Sequence, residues 1–255
     1  MRSRGRAEVL EMAKVSVIIT AAGAGKRFGG DVKKPFALLD NRPVFIRCVE
    51  LFINRPDVVQ TILTVAPEDH DVVREKYAAN LMLMGLRLVK GGAERYESIR
   101  LALEHLDPQA DLVCVHDGVR PCVLENWIDQ VLAEAEKTGA AILAAPLTGT
   151  IKRVADSGVI DATVSREGLY EAQTPQVFRP KILLDAYRAL PPDFHPTDDA
   201  QVVERSGHPV AIVPTDRRNI KITTGADMSL AAALCKDMAR QPKGRAMGAF
   251  EEAQW

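Results

Sequence analysis

The sequence predicts an α/β domain built on a mostly parallel sheet. Short apolar segments rich in β-branched residues recur along the chain, each followed by a stretch with helical spacing. The links between them are short, and several strands run straight into a glycine or an acidic residue. The length of 255 residues is ample for a hydrophobic core, and one domain over 14–240 accounts for it, with tails at 1–13 and 241–255.

The first strand is VSVIIT at 15–20, whose continuous apolarity suits a parallel strand buried on both faces. It enters the glycine-rich stretch AAGAGKRFGG. Pro43 marks a helix start, and 44–53 has apolar residues at helical spacing. TILTVA at 61–66 is the second strand, followed by a polar helix over 69–79. LRLV at 86–89 ends in Gly91-Gly92 before the helix ERYESIRLALEHL. LVCV at 112–115 ends in His116-Asp117, and a helix over 124–138 leads to the strand AAILAAP. The rhythm breaks over 148–172, where IKRVADSGVIDATVSR reads as a hairpin turning at Asp156-Ser157-Gly158. An isolated hairpin is marginal in water, so this arm is expected to project and pack on something else, such as a second copy of the chain. A helix at 180–190, the segment TDDAQVVERSG, a strand at 209–213, the segment NIKIT and a helix over 225–240 complete the domain.

Composition narrows the function. Lys+Arg 33 against Asp+Glu 34 gives a net charge of -1, so no global nucleic-acid binder is indicated and any basic chemistry must be local. The four cysteines lack C-x-x-C spacing, and the five histidines lack H-x-x-x-H and H-E-x-x-H spacing. Zinc and redox chemistry are therefore disfavoured. No apolar run is long enough to span a membrane, and the N-terminal tail lacks a signal-peptide core. The expectation is a cytoplasmic protein.

Chemistry concentrates at the predicted strand ends, where ligands bind in such sheets. Gly23-Ala24-Gly25 follows a strand, so backbone N–H groups can approach a phosphate without Cβ interference. Phe28 stands where a dinucleotide fingerprint needs glycine, and Arg27 stands where a Walker A loop needs Ser or Thr. What remains is a glycine loop backed by Lys26, Arg27, Lys33 and Lys34, which together point to phosphate.

The run AAGAGKRFGGDVKKPFALL resembles the signature loop of the 2-C-methyl-D-erythritol 4-phosphate cytidylyltransferases, members of the sugar- and polyol-phosphate nucleotidyltransferases. GGAERYESIRLAL, VCVHDGVRPCV, AAPLTGTIKRV, LYEAQTPQVF, TDDAQVVERSG and NIKITTGADMSLA each resemble a family block, in the family's order, across about residues 15 to 235. Two positions depart from the pattern. Gly149-Thr150-Ile151-Lys152 replaces the usual Asp-Thr-hydrophobic-Lys, and Lys33-Lys34-Pro35 stands where Pro-Lys-Gln is common.

The resemblance implies a Rossmann-like nucleotidyltransferase domain with a projecting β-hairpin dimerisation arm, a homodimer, and cytidylyl transfer from CTP with Mg²⁺ in isoprenoid precursor synthesis. Arg27, Lys34 and Lys221 would be catalytic, holding the triphosphate and the charge at its α-phosphorus. Ala21, Ala22, Gly23, Gly25, Gly92, Ala93, Ser98 and Asp117 would contact the nucleotide, with Asp117 a candidate metal ligand. Arg120, Thr150, Arg166 and Thr197 would bind the polyol phosphate, Thr150 and Arg166 from the neighbouring chain. A pentitol-5-phosphate (ribitol-5-phosphate) cytidylyltransferase and a non-catalytic nucleotide-binding module are the alternatives.

Overall fold

Six strands running one way and one running against them form the central sheet of the computed structural model, which describes residues 12–23 and 33–240. In chain order, β1 (Val15–Ala21) is followed by the small hairpin β2 (Leu38–Leu39) and β3 (Arg42–Pro43), then α1 (Val44–Glu50) and β4 (Val58–Val65). Next come α2 (His70–Lys76), α3 (Ala78–Leu83), β5 (Leu86–Lys90), α4 (Arg95–Leu103), β6 (Leu112–Asp117), α5 (Glu125–Thr138) and β7 (Ala140–Pro146). The hairpin β8 (Ile151–Val154) and β9 (Ile160–Val164) precedes β10 (Tyr170–Phe178), α6 (Pro180–Arg188), α7 (Asp199–Arg205), β11 (Ala211–Pro214) and α8 (Gly225–Arg240).

The sheet order is β11-β7-β10-β6-β1-β4-β5. Alternation along β1 shows why its apolarity is continuous. Val17 and Ile19 join one core with Phe45, Phe52 and Val131, whereas Ile18 joins the other with Ile62, Ile99 and Val113. Both faces are covered, as a parallel sheet requires. The carboxyl ends of all six parallel strands therefore share one edge, and the pairing Thr20↔Asp117 sets the ends of β1 and β6 side by side there.

One element differs from the sequence expectation and two others were not anticipated by it. The polar helix over 69–79 is two short helices meeting at Tyr77, whose φ of -112° and ψ of 20° interrupt the helical path. The segment EAQTPQVF belongs to β10, a central strand antiparallel to both β6 and β7. Its polar residues conceal it from a periodicity reading, because Gln173, Thr174 and Gln176 are buried rather than exposed. The turn Asp40-Asn41, with φ of 47° and 62°, makes the β2–β3 hairpin just before the helix that Pro43 opens.

The hairpin β8–β9 pairs only with itself and leaves Val154, Val159 and Ile160 more than half exposed. Among the described residues, no helix is long and apolar enough to cross a membrane.

Candidate active site

Close packing at the strand ends shapes a cleft of about 210 Å³, lined among others by Thr20, Ala22, Gly23, Lys34, Asp117 and Lys221. Two glycines permit it. A Cβ at Gly91 would lie 2.5 Å from Ser98 Oγ and 2.8 Å from Ala22 Cβ, and one at Gly118 would lie 2.9 Å from the Thr20 carbonyl oxygen. The loop after β5 therefore packs against the end of β1 only with glycine there. Ser98, fully buried in α4, fixes that loop: its Oγ accepts the Gly92 N–H at 3.1 Å and donates to the Glu94 carbonyl at 3.1 Å. Glu94 and Glu97 close a capping box that starts α4.

Asp117 is the electrostatic centre. Its Oδ2 lies 2.8 Å from Lys221 Nζ and 3.6 Å from Arg120 Nε, and its Oδ1 lies 3.0 Å from Arg95 Nε. Arg95 continues to the buried Asp199 at 2.8 Å. Burial works against the Asp117 charge, but Arg95, Lys221 and Arg120 outweigh it and hold the carboxyl well below the ordinary carboxylate range. Burial likewise works against Arg95, and Asp199 and Asp117 keep its guanidinium firmly charged. Cations exceed carboxylates here, so the cleft is built to receive an anion.

A second cleft of about 200 Å³ adjoins the first. Arg95, Asp117 and Lys221 line both, and Arg120, Thr174, Thr197 and Asp198 line only the second. Asp198 caps α7 through Gln201 N–H at 2.9 Å and accepts from Gln176 Nε2 at 2.9 Å. Arg120 Nη1 donates to the Asn219 carbonyl at 2.7 Å, tying the turn after β6 to the segment that carries Lys221.

The family model described as IspD: 2-C-methyl-D-erythritol 4-phosphate cytidylyltransferase matches residues 15–237. The chain belongs to this family. A 2-C-methyl-D-erythritol 4-phosphate cytidylyltransferase of Rhodopirellula baltica is 42% identical over 236 residues, covering 88% of this chain and 96% of the relative. The 4-diphosphocytidyl-2C-methyl-D-erythritol synthase of Anaerococcus prevotii superposes with a TM-score of 0.74 at 31% identity, over 88% of this chain and 96% of that one. The 2-C-methyl-D-erythritol 4-phosphate cytidylyltransferase of Thermus thermophilus gives 0.73 at 30% identity, over 88% and 99%.

Within this cytidylyltransferase domain, Ala22, Gly23, Lys34, Ser98, Asp117 and Lys221 come together around the first cleft, and Arg120 and Thr197 around the second. Lys34 sits on a single 3₁₀ turn, Lys34–Phe36, which Phe36 anchors by packing on Phe45 and Tyr77. Lys33, its neighbour in the basic run, is paired with Glu68 and Asp69 instead. Ala21 turns its side chain into the core, so it can offer a ligand only its backbone. Gly92 and the exposed Ala93 lie in the loop between β5 and α4. Gly25 and Arg27 lie outside the described residues. Thr150 and Arg166 belong to the arm and line neither cleft; Arg166 Nη1 donates to the Thr148 carbonyl at the arm's base.

Asp117 is the residue that the family resemblance offers as a candidate metal ligand. Three cations already crowd its carboxylate, and among the described residues no cluster of three His, Cys, Asp or Glu could hold an ion. Arg95 is the residue that the motif reading passed over. One signal was available in the sequence: a cation in the first turn of a helix opposes the helix dipole, a local conflict that marks functional positions.

Proposed function

We propose that the chain transfers the cytidylyl group of CTP to 2-C-methyl-D-erythritol 4-phosphate, releasing pyrophosphate, as a step towards isoprenoid precursors. The observation that carries this reading is the pair of adjoining clefts with Arg95, Asp117 and Lys221 as their shared wall. Two phosphate-bearing substrates held on either side would meet at these residues.

The polyol phosphate is its own nucleophile. A phosphate monoester has a second pKa of about 6, so at neutral pH its oxygen is already largely ionised and needs no general base. That oxygen forms a bond to the α-phosphorus of CTP while the bond to the bridging oxygen breaks, and pyrophosphate leaves with the electron pair. The site's work is to hold two anions together in line and to stabilise charge on the transferring group. Lys34 and Lys221 would do this from the two sides of the first cleft, with Arg27 from the glycine loop. Gly92, Ala93 and Ser98 would hold the cytosine largely through backbone groups, beside Ala21, Ala22, Gly23 and Gly25. Arg120 and Thr197 would bind the polyol phosphate, joined by Thr150 and Arg166 from a second copy of the chain in a homodimer. Magnesium would enter on the triphosphate, since a Mg²⁺ ion is commonly held by substrate phosphates and water.

A pyrophosphate-release assay with CTP tests the reading, run in parallel on methylerythritol 4-phosphate and ribitol 5-phosphate. The former is expected to be the better substrate. Preference for the pentitol phosphate would reassign the substrate, and no pyrophosphate from either would favour a non-catalytic nucleotide-binding module.

A further inference from the structure

His116 takes no part in the chemistry above, yet its fully buried ring joins both ends of the turn that presents Asp117 and Arg120. Its Nδ1 lies 3.0 Å from Thr174 Oγ1, and its Nε2 lies 3.1 Å from the Arg120 carbonyl oxygen. The same Thr174 Oγ1 accepts the Asp117 backbone N–H at 3.0 Å.

Hydrogen counting gives the direction of each link for a neutral ring. A carbonyl can only accept, so Nε2 carries a hydrogen. In a neutral ring Nδ1 is then bare, and the one hydrogen of Thr174, whose oxygen already accepts from Asp117, is free to point at it. The chain runs from the Asp117 N–H to Thr174, from the Thr174 O–H to His116, and from His116 Nε2–H to Arg120. It closes around a turn in which the Arg120 N–H donates to the Asp117 carbonyl at 3.1 Å. This pattern needs a neutral ring. A second ring hydrogen would reverse the Thr174 link and add a charge beside Arg95 and Arg120. Burial, opposed by Asp117, lowers the imidazole to about 4, which supports the neutral form.

We propose that His116 is a positioning residue, orienting Asp117 and Arg120 through the Thr174 hydroxyl and the Arg120 carbonyl. The inference rests on the cytidylyltransferase reading of the two clefts. Arg120 in turn holds the Asn219 carbonyl, so the ring's influence extends to the segment bearing Lys221. Small displacements at such a site are costly, because bound phosphates react only when aligned.

The rival role is packing alone, since the ring also lies 5.3 Å from Phe52. Shape-preserving variants separate the two. Thr174→Val keeps the volume and removes the hydroxyl, while Thr174→Ser keeps the hydroxyl and removes a methyl group. Thr174→Val is expected to lower kcat about tenfold and raise the polyol-phosphate KM severalfold, with the CTP KM within about twofold. Thr174→Ser should recover most of the loss. His116→Phe should reproduce the Thr174→Val pattern in protein shown by thermal unfolding to be folded. A Thr174→Val enzyme with wild-type constants, or a Thr174→Ser enzyme equally impaired, would overturn the proposal.

One readout is independent of turnover. Long-range ¹H–¹⁵N NMR of histidine-labelled protein should show His116 as the neutral Nε2–H tautomer, with its Nδ1 signal displaced in Thr174→Val. An Nδ1–H tautomer would refute the hydrogen-bond chain. If wild-type protein released no pyrophosphate, the cytidylyltransferase reading would fail, while the tautomer would still decide whether the chain exists.

Discussion

Asp117 is one buried carboxylate facing three cations, and that ratio sets what its loss would do. In Asp117→Asn, Arg95, Arg120 and Lys221 would repel one another with no anion between them. Breaking a buried ionic cluster by removing one partner typically costs about 3–5 kcal/mol. A loss near the lower end is expected here, because Lys221 is partly exposed and can swing into water. The sign with pH follows from the depressed carboxyl. Its stabilisation is present above the unfolded value of about 3.9 and is lost only as pH falls through the lower folded value. Urea titrations of both proteins should therefore differ by a constant amount from pH 7 to about 4 and converge below that. A gap that narrowed near pH 6 would point to a different group. Lys34→Ala addresses catalysis rather than stability. It is expected to lower kcat about a hundredfold or more with CTP binding little changed, because the contact strengthens as charge develops on the transferring group. Steady-state kinetics with equal loss in CTP affinity would instead make Lys34 a ground-state binder.

Elements deliver these residues, and the way α8 begins matters for Lys221. Asp227 Oδ2 accepts the backbone N–H groups of Thr223 and Thr224 at 2.8 Å and 2.7 Å, and also both hydroxyls. Thr224 Oγ1 returns a bond to the Asp227 N–H at 3.3 Å, which makes a capping box at the start of α8. Those hydrogen bonds, led by the Thr223 hydroxyl, lower the Asp227 carboxyl to about 2. Asp227→Ala should cost about 1 kcal/mol, the usual cap penalty. The stabilisation is full above the ordinary carboxylate range and disappears as pH falls through about 2, so the difference in Tm between wild type and variant should vanish in strong acid. A difference that survived at pH 1.5 would mean that the carboxylate is not the cap. Elements also mark where the sequence was readable. Strands β1, β4, β5, β6 and β7 announce themselves by apolarity, and their ends carry the glycine loop, Gly91-Gly92 and His116-Asp117, whereas the site roles of Lys34 and Lys221 came from the family resemblance. β10 did not announce itself. Gln173 and Gln176 are tolerable in the core only because Thr215, Asn219 and the start of α7 satisfy them, and such partners are invisible in a linear pattern. Arg95 escaped for a related reason: its meaning lies in Asp117 and Asp199, both far downstream in the chain.

At the scale of the whole molecule, the arm is the part without a core of its own. Val154, Val159 and Ile160 are 53%, 65% and 58% exposed, and Leu169 and Tyr170 at the arm's base are also exposed. A two-fold partner would bury this apolar surface, since an isolated hairpin is marginal in water. If the arm also carries Arg166 to the partner's second cleft, each working site combines Lys34 of one chain with Arg166 of the other. Two inactive variants can then repair each other. In a mixture of Lys34→Ala and Arg166→Ala, a mixed dimer holds one site with both defects and one with neither. The intact site joins the undamaged body of the Arg166 variant to the undamaged arm of the Lys34 variant. With random exchange about half the dimers are mixed and half of their sites are whole, so roughly a quarter of wild-type activity should return. Recovery should grow with the time allowed for subunit exchange and stay absent when exchange is blocked by crosslinking each variant beforehand. If Lys34 and Arg166 instead serve the same site within one chain, every site in the mixture keeps one defect. No activity would return however complete the exchange, and the arm would be left with dimerisation as its only role.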